Sequence, residues 1–207
     1  MSNFDNVART WDENPIHMER SLAIARKMEE KLPLRKDMKA LEYGAGTGIL
    51  SFLLGEKLGH ITMMDSSAEM VRVMEEKVTE REVTNLSPVF MNLEKERPYT
   101  SYDLIFNQMV LHHIKDIRSI FEKFYQMLLP AGILAIADLY TEDGSFHGVG
   151  VDVHLGFDPE RLKSELLIAG FEEVKFETCY TVKREVAGEA PKSFPIFLLT
   201  ASKRPDN

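Results

Sequence analysis

The chain has 207 residues, of which 44% are hydrophobic, 33 are acidic and 25 are basic, so its formal net charge is −8. This length gives one domain a substantial core and is too short for two ordinary domains. A negative chain with no cluster of Lys and Arg disfavours nucleic acid as a partner, because the phosphate backbone would be repelled. We therefore expect a single domain over residues 1–207 that binds no nucleic acid.

The cysteine content and the lengths of the apolar runs indicate in which cellular compartment the protein is expected. A single cysteine, Cys179, excludes an intrachain disulfide and fits a reducing interior. The first residues contain no basic segment followed by an apolar one, so we expect no secretory signal. Apolar runs such as 132–137 and 196–201 are too short to span a bilayer. These features predict a cytoplasmic protein with no membrane partner.

The N-terminal region is rich in helix-forming residues. Pro15 is expected to divide it into a short helix and a longer one, because proline cannot continue a helix from its interior. We predict an N-terminal helical cap over residues 1–33. A strand over 40–43 then runs into a glycine-rich turn, and the helix after this turn is expected to stop at Gly59.

The rest of the chain alternates strands with helices. The second strand ends at Asp65, and Ser66 or Ser67 caps the helix that follows. The remaining predicted elements are strands over 88–91, 102–106 and 133–137, helices over 116–129 and 158–170, and strands over 172–180 and 194–202. Strands that alternate with helices predict an α/β fold with a mostly parallel sheet and helices on both faces. The last two strands have no helix between them, so we expect an antiparallel hairpin at one edge.

The glycine turn over 44–48 is the strongest motif. Glycines between the first strand and its helix permit a tight turn and let a ligand approach the backbone closely. The dinucleotide fingerprint needs a further glycine at position 49, where Ile49 stands, so a nucleoside without a pyrophosphate is favoured. Asp65 at the end of the second strand can accept hydrogen bonds from both hydroxyls of a ribose.

With these motifs the chain resembles the class I S-adenosylmethionine-dependent methyltransferase superfamily, in particular its small-molecule group related to the ubiquinone-biosynthesis methyltransferases. Residues 41–48 match the family's first motif, 102–116 match its fourth-strand motif, and 128–134 match the start of its fifth strand. Asp65 stands at its ribose-binding acid. The resemblance implies a Rossmann-like, doubly wound, mostly parallel seven-stranded sheet. It also implies S-adenosylmethionine as cofactor and S-adenosylhomocysteine as product.

The same resemblance implies a division of the chain and a set of binding residues. The cofactor-binding core spans 38–140, and 141–207 supply the substrate-side loop, the last helix and the edge strands. The implied cofactor-binding residues are Trp11, Glu42, Gly44, Ala45, Gly46, Gly48, Asp65, Ser66, Met70, Asn92, Leu93, Asn107 and Gln108. The family commonly has an acid at the position of Asn92, so this neutral residue predicts weaker contact with the adenine amino group.

Methyl transfer from a sulfonium is an in-line displacement, so the protein mainly aligns the nucleophile, the methyl group and the sulfur. A general base helps when the acceptor must lose a proton, and histidine titrates near neutral pH. The candidates are His112 and His113 after the fourth strand and His154 before the last helix. The alternative is structural: the pair caps or packs against the following helix, and His154 holds its loop in place.

The loop after the fifth strand contains a candidate metal site. Asp138, His147, Asp152 and His154 lie close in sequence, and some methyltransferases bind a divalent ion with carboxylates after the same strand. Their spacing is not distinctive, and a single cysteine excludes a thiolate site. We therefore expect solvated loop residues and no metal.

The residues after the fourth strand also bear on the acceptor. Nucleic-acid and glutamine-modifying members carry Asn-Pro-Pro-Tyr where this chain has Asn-Gln-Met-Val at 107–110. We therefore expect a small-molecule acceptor, bound by a monomer or a homodimer. Two alternatives are a non-catalytic nucleoside-binding protein of the same fold, which Asn92 permits, and a nicotinamide-dependent oxidoreductase. Against the oxidoreductase, this chain has neither the third glycine of the dinucleotide fingerprint nor a Tyr-x-x-x-Lys pair near the site.

Overall fold

A computed structural model describes residues 4–96, 99–148, 150–185 and 190–206, so residues 1–3 of the predicted cap lie outside the described residues. The strands are β1 (Lys39–Tyr43), β2 (His60–Asp65), β3 (Leu86–Phe90), β4 (Tyr102–Gln108), β5 (Leu128–Leu139), β6 (Phe171–Arg184) and β7 (Lys192–Lys203). The helices are α1 (Pro15–Lys31), α2 (Ile49–Leu54), α3 (Ala68–Glu80), α4 (Ile117–Met127) and α5 (Pro159–Ile168), with 3-10 helices at Ala8–Glu13 and Leu111–His113.

The strands form one sheet in the order β3-β2-β1-β4-β5-β7-β6. Strands β1 to β5 pair in parallel, and β7 runs antiparallel to both β5 and β6. The strand order reverses between β1 and β4, and ligands of open α/β sheets bind outside the carboxyl ends of the strands at such a switch point. The predicted seven-stranded, doubly wound, Rossmann-like sheet with its antiparallel C-terminal hairpin is confirmed.

Two apolar layers cover the sheet. Successive residues of a strand face opposite sides, so Ala40 of β1 packs in the layer of α1, α2 and α3, whereas Leu41 packs in the layer of α4 and α5. The first layer also contains Met28 and Leu50, and the second contains Phe121. Burial on both faces explains why the parallel strands are apolar without alternation.

Side chains cap the N-termini of α1 and α3. Pro15 occupies the first turn of α1, and the Asn14 side chain accepts a hydrogen bond from Ile16 N at 3.1 Å. Ser67, rather than Ser66, caps α3 by accepting from Met70 N at 3.2 Å. No helix within the described ranges is long and apolar enough to cross a membrane.

The predicted stop of α2 at Gly59 is wrong. The helix ends at Leu54, and Gly55 follows as its C-cap. Gly59 serves a different purpose, because its N–H donates to Met38 O at 3.0 Å and a Cβ there would collide with the carbonyl of Lys36. This glycine therefore allows two backbone segments to approach each other just before β2 begins.

Candidate functional site

The turn between β1 and α2 is held by backbone hydrogen bonds. The N–H groups of Gly44 and Ala45 both donate to Met64 O, at 2.8 and 3.0 Å. Gly44, Gly46 and Gly48 have φ values of 69°, 58° and 79°. This left-handed region favours glycine, so the sequence spacing directly determines the path of the turn.

Two glycines of the turn differ in what surrounds them. A Cβ at Gly44 would lie 2.5 Å from Val110 Cγ2, so this position has no room for a side chain. A Cβ at Gly46 would meet no atom of the described residues within 4 Å. The turn is therefore closed on the side of β4 and open at Gly46.

Asp65 lies beside the open side of the turn. Its Oδ2 accepts a hydrogen bond from Gly46 N at 2.8 Å, and its Oδ1 accepts one from Ser67 N at 2.8 Å. Burial raises the pKa of this carboxyl group, while the backbone hydrogen bonds of Ser67 and Gly46 oppose the rise. Each carboxylate oxygen keeps a second lone pair that can accept from a ligand hydroxyl.

The carboxyl end of β4 presents two amides next to this turn. The Asn107 side chain is 2% exposed, and neither its oxygen nor its nitrogen has a hydrogen-bond partner within the described part of the chain. Gln108 Oε1 accepts from Ser21 Oγ of α1 at 3.1 Å. Buried amides are normally satisfied, so Asn107 has the properties of a group that a ligand completes.

Glu42 supports the turn from beneath. Its side chain is fully buried, and Oε2 accepts from Ser51 N at 3.1 Å and from Ser51 Oγ at 2.5 Å in the first turn of α2. Its other oxygen has no partner among the residues described. Burial raises the pKa of this carboxyl group to about 8, so at neutral pH the group is largely protonated.

The other residues predicted to bind the adenine end lie at the ends of β2 and β3. Ser66 is exposed and Met70 is buried in the first turn of α3. Asn92 Oδ1 already accepts from Glu94 N at 2.9 Å, and Leu93 is fully buried. The Asn92 amide thus stabilises its own turn in this conformation.

Aromatic side chains of the N-terminal segment cover the site. Trp11 stacks on His17 with 4.0 Å between ring centroids, and Phe4 lies edge-on to Trp11 at 6.1 Å. Phe4 also lies edge-on to His113 at 5.2 Å. The segment that the sequence predicted as a cap therefore reaches from α1 to the end of β4.

The same segment is attached to the glycine turn by polar contacts that sequence reasoning missed. Asp12 Oδ1 accepts from Thr47 Oγ1 at 2.5 Å, and its Oδ2 forms an ion pair with Lys77 of α3. Lys77 Nζ also donates to Thr47 O at 2.8 Å. No sequence signal connects Asp12 with Thr47, because their contact depends on how the cap folds back over the sheet.

A buried histidine–aspartate pair lies at the ends of β4 and β5. His112 is 1% exposed, and its Nδ1 lies 2.7 Å from Asp138 Oδ1. The carboxylate can only accept, so Nδ1 carries a proton, and in the neutral form of the ring Nε2 keeps a lone pair. The sequence held a signal for this pair, since 102–106 and 133–137 were predicted as strands of a mostly parallel sheet, and His112 and Asp138 follow them.

His113 and His147 surround His112. The ring centroids are 4.2 Å apart for His112 and His113, 4.9 Å for His112 and His147, and 5.3 Å for His113 and His147. Burial, with a smaller effect of the neighbouring histidines, lowers the pKa of His113 to about 4. Burial also lowers the pKa of His147. These two imidazoles are therefore neutral at pH 7.

Arg20 of α1 balances the charge of Asp138. Its side chain is buried, and its pKa is lowered to about 10 by burial, an effect that the Asp138 charge opposes. A buried carboxylate needs a nearby positive charge or donors. Sequence reasoning missed Arg20, because an arginine on an amphipathic helix normally faces solvent.

His154 does not join this cluster. Its Nε2 lies 2.8 Å from Ile114 O, and its backbone N–H donates to His112 O at 2.8 Å. These contacts match the structural alternative, in which His154 holds its loop in place. Asp152 forms an exposed ion pair with Lys115. Of the four acids and histidines that lie close in sequence, Asp138 and His147 contact His112, whereas the side chains of Asp152 and His154 have other partners.

Comparisons with known proteins agree with this architecture. Residues 34–175 match a family model described as a methyltransferase domain. An uncharacterized methyltransferase of Schizosaccharomyces pombe is 30% identical over 145 residues, which cover 62% of this chain and 51% of that protein. Malonyl-[acyl-carrier protein] O-methyltransferase 2 of Ilyobacter polytropus is 30% identical over 149 residues, covering 68% of this chain and 55% of the relative. The chain thus spans about half the length of these relatives.

A solved structure extends the likeness to nearly the whole chain. The N-methyltransferase NodS of Bradyrhizobium japonicum, in complex with S-adenosyl-L-homocysteine, superposes with a TM-score of 0.71 at 18% identity. The match covers 98% of this chain and 99% of NodS. At this identity the likeness shows the fold.

Proposed function

The chain belongs to the methyltransferase domain family, and from this premise we propose that it transfers a methyl group from S-adenosylmethionine to a small-molecule acceptor. One observation carries the proposal. The glycine turn, Asp65 and the Asn107 amide all lie at the carboxyl ends of β1, β2 and β4, and this amide has no partner among the residues that the structure describes. This is the switch point of the sheet, where a nucleoside ligand of this fold is expected.

The residues present fit such a ligand in three respects. The open side of Gly46 leaves room for the methionine part. Asp65 has lone pairs for the two ribose hydroxyls, and Asn107 has both donor and acceptor capacity for the polar groups of the methionine part. The adenine is assigned to the ends of β2 and β3, where Met70 offers an apolar side chain and Asn92 only a neutral oxygen.

When bound, the cofactor supplies a methyl group on a positively charged sulfur, which departs as a neutral thioether after in-line attack. The chain has to align the acceptor and exclude water. The N-terminal segment from Phe4 to Asp12 is well placed to exclude water, because it covers the turn and the histidines. We assign the acceptor to the side of His112 and His113, beneath this cover. A covered site of this kind favours a small acceptor over an extended macromolecular surface.

The direct test is a thermal-shift titration of the purified protein with S-adenosylmethionine, S-adenosylhomocysteine and NADH in parallel. A ligand at a hundredfold excess over its dissociation constant adds about 2.7 kcal/mol. For a domain of this size we expect a rise in Tm of roughly 5–10 °C with both adenosyl ligands and none with NADH. A response to NADH alone, or to none of the three, would overturn the proposal. Consumption of the methyl donor against an acceptor panel then tests catalysis.

A glycine substitution tests where the cofactor binds. Gly46→Ala places a methyl group in the left-handed region with no protein neighbour within 4 Å. We expect a loss of stability of about 1 kcal/mol from backbone strain. We also expect more than tenfold weaker S-adenosylhomocysteine binding, measured by calorimetry, because the methyl group occupies the open side of the turn.

Gly148→Ala is the matched control. Gly148 has a φ of 85° and, within the described ranges, likewise no neighbour within 4 Å of a Cβ, but it lies in the loop after β5. It should lose similar stability and keep its affinity for S-adenosylhomocysteine. Equal affinity in the two variants would argue against cofactor binding at Gly46.

A further inference from the structure

Three histidines from two separate segments meet near the carboxyl end of β4. His112 and His113 lie in the 3-10 helix after β4, and His147 lies in the loop after β5. Each offers one ring nitrogen, and these nitrogens all lie within 4.8 Å of one another. The Nε2 atoms of His112 and His147 are buried without a hydrogen-bond partner in the described ranges. Buried polar atoms are rarely left in this state, so the cluster points to a ligand that accepts electron pairs.

Asp138 holds the most buried of the three rings in one orientation. Its carboxylate accepts from His112 Nδ1 at 2.7 Å, and both side chains are at most 1% exposed. The hydrogen bond fixes the tautomer in which His112 Nε2 presents its lone pair. A carboxylate behind a histidine in this way is the usual second partner of a metal-binding imidazole.

We propose that His112, His113 and His147 bind a divalent transition metal ion of the zinc type, through one ring nitrogen each. Three imidazoles suit Zn²⁺, Co²⁺ or Ni²⁺, whereas Mg²⁺ and Ca²⁺ prefer oxygen ligands. Tetrahedral zinc with bonds of about 2.0–2.1 Å needs nitrogens about 3.4 Å apart, so the cluster must contract on binding. The loop of His147 can supply this movement, since His147 is half-buried while His112 is fixed by Asp138.

A site of three histidines leaves a coordination position open. If the proposed function holds, an oxygen or sulfur of the acceptor would bind there and lose its proton to solvent more readily. The bond from that atom to the methyl group would then form as the bond from methyl to sulfur breaks. In this arrangement His112 is a ligand rather than a general base. The sequence predicted no metal because the three ligands are distributed over 112–147 and meet only through the pairing of β4 with β5.

The test is a Co²⁺ titration of the untagged 207-residue chain after removal of metals with a chelator. Four-coordinate Co²⁺ gives intense visible bands, and we expect them to saturate at one ion per chain and to disappear when Zn²⁺ is added. Absence of these bands, or binding that does not saturate at one ion, would overturn the proposal. The titration needs no adenosyl ligand, so its failure is distinct from a failure of the thermal-shift test.

Variants locate the ion. His147→Ala removes a partly exposed loop residue and is expected to weaken Co²⁺ binding at least tenfold. His113→Ala should have a similar effect. His60→Ala, at the start of β2 and outside the cluster, is the matched control and should bind Co²⁺ like the unaltered protein. An unchanged His147→Ala titration, or an equal loss in His60→Ala, would contradict the assignment. A cooperative thermal unfolding transition without ligand would show that each variant is folded.

Discussion

Asp65→Asn is expected to weaken S-adenosylhomocysteine binding about 100-fold, equivalent to ~2.7 kcal/mol. The carboxylate can accept charge-assisted hydrogen bonds from two ribose hydroxyls, and each is worth roughly 1–1.5 kcal/mol more than its neutral counterpart. Asparagine keeps one oxygen, which can preserve only one of the contacts with Gly46 N and Ser67 N. The amide nitrogen would face the other N–H, so we expect a loss of stability to accompany the loss of binding.

Calorimetric titration with S-adenosylhomocysteine measures this effect, and Asp37→Asn is the matched control. Asp37 is exposed and precedes β1, at the end of the sheet opposite the glycine turn. Its substitution should leave the affinity unchanged. If Asp65→Asn bound the ligand within threefold of the unaltered protein while remaining folded, the ribose assignment would have to be abandoned.

The free energy of unfolding of Glu42→Gln, relative to that of the unaltered protein, is expected to increase by about 3 kcal/mol as the pH rises from 5 to 7.5. The pKa of Glu42 is raised by burial from an ordinary value of 4.5 to about 8. Between these two values the unfolded chain releases this proton while the folded chain retains it. The Glu42 contribution to the free energy of unfolding therefore falls with rising pH, by up to ~1.4 kcal/mol per pH unit. Glutamine does not titrate, so its contribution stays constant.

Thermal unfolding of both proteins at several pH values tests this prediction. The difference in Tm should change by roughly 6–12 °C in favour of the glutamine variant across this range. Other titrating groups affect both proteins alike and cancel in the difference. Glu56→Gln, at an exposed position just after α2, should show no comparable trend. A pH-independent difference for Glu42→Gln would mean that this carboxyl group ionises freely in the folded chain.

The order of elements was predictable because each signal is local. Strands buried on both faces are apolar throughout, as in 133–137, and caps such as Asp158 and Ser67 accept from the first turn of their helices. The left-handed glycines of the turn were equally predictable, since few other residues adopt that conformation. These signals support the predicted membership of the class I methyltransferase superfamily, which the match over 34–175 confirms.

The surroundings of the site depended on contacts between distant segments. Asp12 meets Thr47, and Arg20 comes near Asp138, only because the N-terminal cap packs against the carboxyl ends of the strands. The prediction that α2 stops at Gly59 was wrong for the same reason. A glycine is needed there because the backbone of Lys36 lies close to it, and not because the preceding helix ends there.

By itself, therefore, the sequence determined the fold, the glycine turn and the position of Asp65, because periodicity, backbone conformation and strand ends are properties of short segments. Only the tertiary structure decided which histidines come together. His147 joins His112 and His113 because β5 pairs beside β4 and its loop returns over the end of that strand, whereas His154 is held by Ile114 O. The packing of whole strands and loops determines which of these histidines lie close together, and their spacing along the chain does not predict it.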